Sequence, residues 1–372
     1  MKKVISIAVA ALFAACLFAE SEKITLTDSK GREKKFDTIA AALKGVKGSG
    51  EYKIKLPKGT YNEILYYNGG AKITISGDTD SEFGSDVIIA AENNGELKKG
   101  KSMEGKAIKD RCLFEFEGTG NLTLENLTLH NTYVKKSDGE KNTQAEALGF
   151  DSTGNLAAYN CSFKSYQDTV RTTGKAWFYG CLIEGDVDFI WMEQTGKVAL
   201  YEKCQIRSLY NPNVSSHTAY ICAPRTNISG LISKGIVIFD SEISGAEKEK
   251  TYFARTPWKE GYYSQVAYIR CAASGIDSAI WHKEPLMAKN TPRTVIGWKM
   301  DEKTAESLGV SAEGRNDILD EATVQAEYGG RNVILNKTVS TSGIYKKESK
   351  PWNVSEMAKK LGWRVTEDLS QL

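Results

Sequence analysis

Two neighbouring stretches, NLAAYNCSFKSYQDTV (residues 155–170) and KAWFYGCLIEGDVDFI (residues 175–190), read as copies of one unit. Each begins with an apolar and aromatic run, passes a Cys and a bulky apolar residue, and reaches an Asp. Cys161 and Cys181 are 20 residues apart, and Asp168 and Asp188 each stand seven residues after their Cys. Working outward, the unit recurs at LTLENLTL with Leu127 in the Cys position, at ALYEKCQI with Cys204, at VIFDSEI with Ser241 and at AYIRCAA with Cys271. The steps are 34, 20, 23, 37 and 30 residues. A tight step with longer ones between is what a β-solenoid gives when some coils carry loop insertions. No unit can bury its own face, so stacking of parallel strands about 4.8 Å apart must create the core. Equivalent residues then form ladders, with Cys161, Cys181 and Cys204 acting as small buried hydrophobes. A propeller or sandwich would need evenly spaced hairpins with two-residue turns, and few are present.

The rest of the chain is consistent with this all-β reading. Residues 52–56, 72–76 and 86–91 are short β runs bounded by Gly, Pro or Asp. Short helices are expected at both ends: 37–45 with Asp37 as N-cap, 301–308, and 353–361 entered through the capping box Asn353-Val-Ser-Glu356. Residues 1–19 read as a signal peptide, because Lys2 and Lys3 precede an apolar run too short to span a bilayer. The alternative is a lipoprotein signal ending before Cys16, which would then carry a lipid anchor. Either way the protein is expected to be exported, with residues 20–372 forming one domain and 301–372 a C-terminal extension packed on the solenoid. No later stretch reads as a transmembrane span.

Taking away Lys2 and Lys3 leaves 47 of the 49 basic residues against 47 acidic ones, a balance that does not point to nucleic acid. Six cysteines remain after Cys16 and allow 15 pairings. The ladder favours mostly unpaired, buried thiols. His130, His217 and His282 are scattered, and no GxSxG elbow is present, so neither a zinc site nor a Ser-His-Asp triad is expected.

Stacked coils would bring the backbones of Asp168 and Asp188 about 5 Å apart. Two carboxylates that close do not ionise together easily, which yields one acid and one nucleophile or base. Gln167 can donate a hydrogen bond beside them, and Tyr166, Phe189 and Trp191 supply apolar or stacking surface. This chemistry alone leaves open a retaining glycosidase and a carboxylate attack on an ester carbonyl.

Six motifs, in order, resemble those of the pectin methylesterases, carbohydrate esterases built on a right-handed parallel β-helix. GTYNE (59–63) is similar to GxYxE, QAEAL (144–148) to QAVAL, YQDTV (166–170) to YQDTL and GDVDFIWM (185–192) to GxVDFIFG. HTAYICAPR (217–225) is similar to ITAxxR, and FARTPW (253–258) to LGRPW. The resemblance implies hydrolysis of galacturonate methyl esters in pectin (homogalacturonan) by a monomer without metal or cofactor. It implies Asp188 as nucleophile, Asp168 as acid and then base, Gln144 and Gln167 as oxyanion donors, Arg255 holding Asp188 ionised, and Tyr166 and Trp258 lining the sugar cleft. Three departures bear on the site. FARTPW has one residue more between Arg255 and Trp258, Met192 stands in place of Gly and is expected to crowd the cleft, and Glu146 replaces an apolar residue. Glu146 either faces the cleft with Gln144, selecting esterified sugars, or pairs with a nearby cation. A different class of function, a catalytically impaired β-helix that binds polysaccharide at the cell surface, would draw on the same departures. A β-helix lyase would need a calcium-binding acidic cluster, and none is evident.

Overall fold

The computed structural model describes residues 23–368 apart from 98–101, 104–105, 108–110, 194–196, 226–231, 257–263, 283–295 and 341–345. The leader residues 1–19, Cys16 and Trp258 therefore lie outside the described residues.

The described chain winds through three long sheets, one of twelve strands and two of eight. One turn of the coil runs through Asn155–Tyr159, Ser162–Lys164 and Val170–Thr172. The next runs through Lys175–Tyr179, Leu182–Gly185 and Val187–Met192. The two turns stack in parallel, with Leu156 opposite Ala176, Ser162 opposite Leu182 and Val170 opposite Ile190. The fold is a right-handed parallel β-helix. Antiparallel pairing in the long sheet is confined to its N-terminal edge, where Ile24–Asp28 pairs with both Glu33–Phe36 and Glu51–Leu56.

The register of the long sheet places Leu122, Leu156, Ala176, Ala199, Ile236 and Val266 in one row. Five residues further on in each coil stand Leu127, Cys161, Cys181, Cys204, Ser241 and Cys271, so the spacing read from the sequence is a physical ladder. Cys112, Cys161, Cys181, Cys204, Cys222 and Cys271 are all buried free thiols. A sharp corner precedes each rung. Asn126, Asn160, Gly180, Lys203, Asp240 and Arg270 all adopt left-handed backbone with φ between 49° and 59°. That conformation is costly for most side chains and suits Gly, Asn and Asp best.

The N-terminal helix is Ile39–Gly45, and its N-cap is Thr38, whose hydroxyl accepts from the Ala41 amide. Asp37, the residue expected there, instead pairs with Lys23. The next orphan amides, of Ile39 and Ala40, donate to the two carboxylate oxygens of Glu63 at 2.8 and 2.9 Å. The Glu of GTYNE thus closes the solenoid's mouth by capping this helix.

Four helices follow the solenoid: Glu302–Ser307, Glu321–Tyr328, Arg331–Asn336 and Val354–Leu361. Asp301 and Asn353 cap the first and last by accepting from Thr304 and Glu356 amides, and left-handed Gly362 ends the last. The middle two have no clear apolar stripe and were not expected. Val324, Tyr328, Ile334, Leu335, Val354, Ala358 and Trp363 pack on the outward residues of the long sheet, among them Trp177, Leu200 and Val237. Each large side chain so buried contributes about 1.5–3 kcal/mol. Both faces of the middle of the long sheet are therefore covered, which explains why Lys175–Tyr179, Val198–Glu202, Gly235–Phe239 and Ser264–Ile269 are buried throughout, whereas Glu51–Leu56 near the N-terminal edge alternates buried and exposed residues.

Candidate active site

In two successive coils the chain passes from the second sheet to the third through Asp168, in the turn before Val170–Thr172, and through Asp188, at the register shift inside Val187–Met192. Both aspartates have left-handed backbone, with φ of 62° and 54°. The turns are bound coil to coil: Gln167 bridges to Val187, and the Asp168 amide donates to the Val187 carbonyl at 2.9 Å. Since Val170 pairs with Ile190, Asp168 and Asp188 occupy the same rung. Both are buried.

Their surroundings differ. Arg255 donates from Nη2 to Asp188 Oδ2, and its guanidinium lies 4.7 Å from the centre of the Tyr220 ring. The extra residue in FARTPW leaves Arg255 on the aspartate. The other oxygen, Asp188 Oδ1, has no hydrogen-bond partner among the described residues. Asp168 receives one contact from Arg111, Nη2 to Oδ2 at 3.1 Å. Burial pushes the Asp168 carboxyl well above the usual range, aided by the charges of Glu146 and Asp188 and opposed by Arg111 and Arg225. Arg111 is shared with a second acid, its Nε 2.8 Å from both oxygens of Glu146 and its Nη2 2.8 Å from Oε1. The surroundings of Asp168 thus favour its protonated form.

Gln167 accepts at Oε1 from the Thr143 hydroxyl at 2.9 Å, which directs its NH2 group away from Thr143. Gln144 stands one coil earlier and is half-buried; the neighbouring Ala145 amide bonds the Gln167 carbonyl at 3.2 Å. Neither amide nitrogen donates to another described residue. Tyr166 is half-buried beside Asp186.

Three of the expected lining residues are placed elsewhere. Phe189 and Met192 are fully buried in the solenoid core, so Met192 does not crowd the cleft. The strand register shifts between Val187 and Ile190. Simple alternation therefore fails there, and of Phe189, Trp191 and Met192 only Trp191 points outward, opposite Arg171. Glu146 is also fully buried. Residues 144–147 are not a regular strand, so Glu146 does not share the face of Gln144. Of its two readings, the ion pair holds, with Arg111 and with Arg171 at 3.5 Å.

The sequence reading missed the cations. Arg111, Arg171 and Arg225 have their guanidinium carbons 5.7, 5.7 and 5.0 Å from the Trp191 ring centre. Arg225 ends the HTAYICAPR motif and could have been found there, whereas nothing near Arg111 marks it. Asp186, two residues before Asp188, was also missed. Burial and the facing Glu249 carboxylate push its carboxyl up to about 9.

A family model described as Pectinesterase matches residues 25–290. This chain belongs to the pectinesterase family. Pectinesterase 2 of Citrus sinensis is 29% identical over 256 residues, covering 66% of this chain and 44% of that protein. A probable pectinesterase A of Aspergillus niger is 27% identical over 197 residues, covering 50% of this chain and 56% of that protein. The chain thus spans about half the length of these curated pectinesterases. Among solved structures, the pectin methylesterase PemA from Erwinia chrysanthemi superposes with a TM-score of 0.61 at 23% identity, covering 79% of this chain and 92% of that one. A pectin methylesterase in complex with a hexasaccharide gives the same TM-score at 21% identity, covering 85% and 96%. These two show a shared fold.

Proposed function

We propose that this chain hydrolyses methyl esters of galacturonate units in pectin, releasing methanol. The observation that carries the reading is the unlike setting of two carboxyl groups on one rung: Asp188 held by Arg255 with Oδ1 unpartnered among the described residues, and Asp168 buried beside Glu146, which favours its protonated form. Asp188 Oδ1 attacks the ester carbonyl. The oxyanion takes hydrogen bonds from the side-chain amides of Gln144 and Gln167. Asp168 gives its proton to the leaving methoxide, and the acyl group is left on Asp188 as an anhydride. Asp168, now a carboxylate, takes a proton from water. The hydroxide attacks the galacturonyl carbon, and Asp188 departs as carboxylate. Tyr166, Trp191 and Trp258 are the residues proposed to line the sugar cleft. No metal or cofactor enters this scheme. Export through residues 1–19, or anchoring at Cys16, belongs to the same proposal. Among the described residues no helix is long and apolar enough to cross a membrane.

The impaired-binder reading drew on Glu146, Met192 and the register of Arg255. The first is charge-paired, the second lies in the core, and the third sits on Asp188, so it loses its grounds. The test is to incubate the purified protein with highly methylated and with de-esterified pectin. The expected products are methanol and new carboxylates from the first only, unaffected by EDTA. Unsaturated or shortened chains without methanol would overturn the proposal.

A further inference from the structure

The carboxylate rung has a third member. Leu148, Val170 and Ile190 pair in turn across three coils, and two residues before each stand Glu146, Asp168 and Asp188. One coil earlier, the Leu113 amide donates to the Glu146 carbonyl at 2.8 Å. This sets Arg111 beneath the rung, and its guanidinium spans Glu146 and Asp168.

We propose that Arg111 and Glu146 are positioning residues for Asp168: Arg111 fixes where the acid's carboxyl group lies, and Glu146 neutralises Arg111 so that the acid keeps its proton. The inference rests on the acid role assigned to Asp168 above. An arginine within hydrogen-bond distance is the usual device for holding a carboxyl group in place, but alone it favours the carboxylate form and so removes the acid. A buried Glu that takes three of the arginine's contacts separates the two effects. The other charges facing Asp168 are Asp188 from the following coil, itself paired with Arg255, and Arg225. Arg171, three residues on, pairs with Glu115 and Asp151 and also lies 3.5 Å from Glu146. The charge influences on Asp168 agree with this geometry, since Glu146 raises its proton affinity and Arg111 lowers it.

The experiment is the pH profile of kcat/KM for methanol release from methylated oligogalacturonate. The alkaline limb of that profile reports loss of the acid's proton in the free enzyme. Glu146→Gln should move the limb down by about one pH unit or more. Arg111→Gln should move it up and lower kcat. Arg111→Lys, which keeps the charge but not the fork, should lower kcat with the limb in place. The Glu146→Gln/Arg111→Gln double variant should bring the limb back toward wild type. A pair that serves folding alone would change thermal stability and leave every limb where it was. Unmoved limbs in both folded single variants overturn the proposal. Wild-type turnover by Asp188→Ala would instead overturn the esterase mechanism on which it rests.

Discussion

Each coil of this β-helix can turn with a left-handed residue at either of two corners, and the two corners use that device in opposite ways. At the corner before the Cys ladder, polar neighbours on successive coils complement each other. Asn160 donates to Asn126 Oδ1 at 2.8 Å and to the Ser81 carbonyl at 2.9 Å, and accepts from the Phe83 amide at 2.7 Å. Three and four coils on, Asp240 and Arg270 make a paired contact at 2.7 and 2.8 Å. At the corner before the third sheet, the stacked pair is Asp168 and Asp188, two acids. The backbone is the same, but the interaction between rungs is repulsive, and it is relieved by withholding a proton from solution and by arginines brought from distant coils. One corner spends its side chains on stability. The other gives two stacked carboxyl groups unlike surroundings, Asp188 on Arg255 and Asp168 buried beside Glu146, as the proposed nucleophile and acid require.

Converting the second corner into the first should separate the two roles. Asp168→Asn removes the repulsion while keeping the shape. Methanol release should fall by roughly 10²–10⁴-fold, the usual loss with a general acid. The variant should also melt at a higher temperature than wild type at neutral pH. Gln167→Ala or Gln144→Ala should cost roughly 10²–10³-fold in kcat, with Tm little changed. At the structural corner the pattern inverts. Asn160→Ala should lose about 1–3 kcal/mol of stability in urea unfolding, because three hydrogen bonds to half-buried partners are lost, and should leave kcat unchanged.

The smallest effect is expected at Asp186, next to the site. Its carboxyl is raised from 3.8 to about 9 by burial and by Glu249. The folded state therefore holds a proton that the unfolded chain releases, and stability is lost as pH rises through that window. Asp186→Asn should raise Tm modestly at pH 7–8 relative to wild type, and the difference should vanish below about pH 4.

The ladder was legible in the sequence because the corner fixes the period: a polar residue or Gly at the corner, then the ladder residue, repeats in these six coils. The Asp pair was legible for the same reason, since both sit at a constant offset from the ladder. What lay outside reach depended on loops of unequal length. Arg111 meets Glu146 from 35 residues away, through a connection whose geometry no local pattern sets. Phe189 and Met192 were assigned to the wrong side because left-handed Asp188 and the register shift after Val187 break the two-residue alternation. The helices Glu321–Tyr328 and Arg331–Asn336 carry weak patterns of their own and owe their place to the apolar outer face of the long sheet.

The central claim is that Asp188 is the nucleophile of this corner. Its most direct test is methanol release from methylated pectin by Asp188→Ala beside wild type, with circular dichroism confirming that both are folded. The account predicts that the variant keeps its fold and releases no methanol above the uncatalysed background. Turnover at the wild-type rate by the folded variant would contradict it.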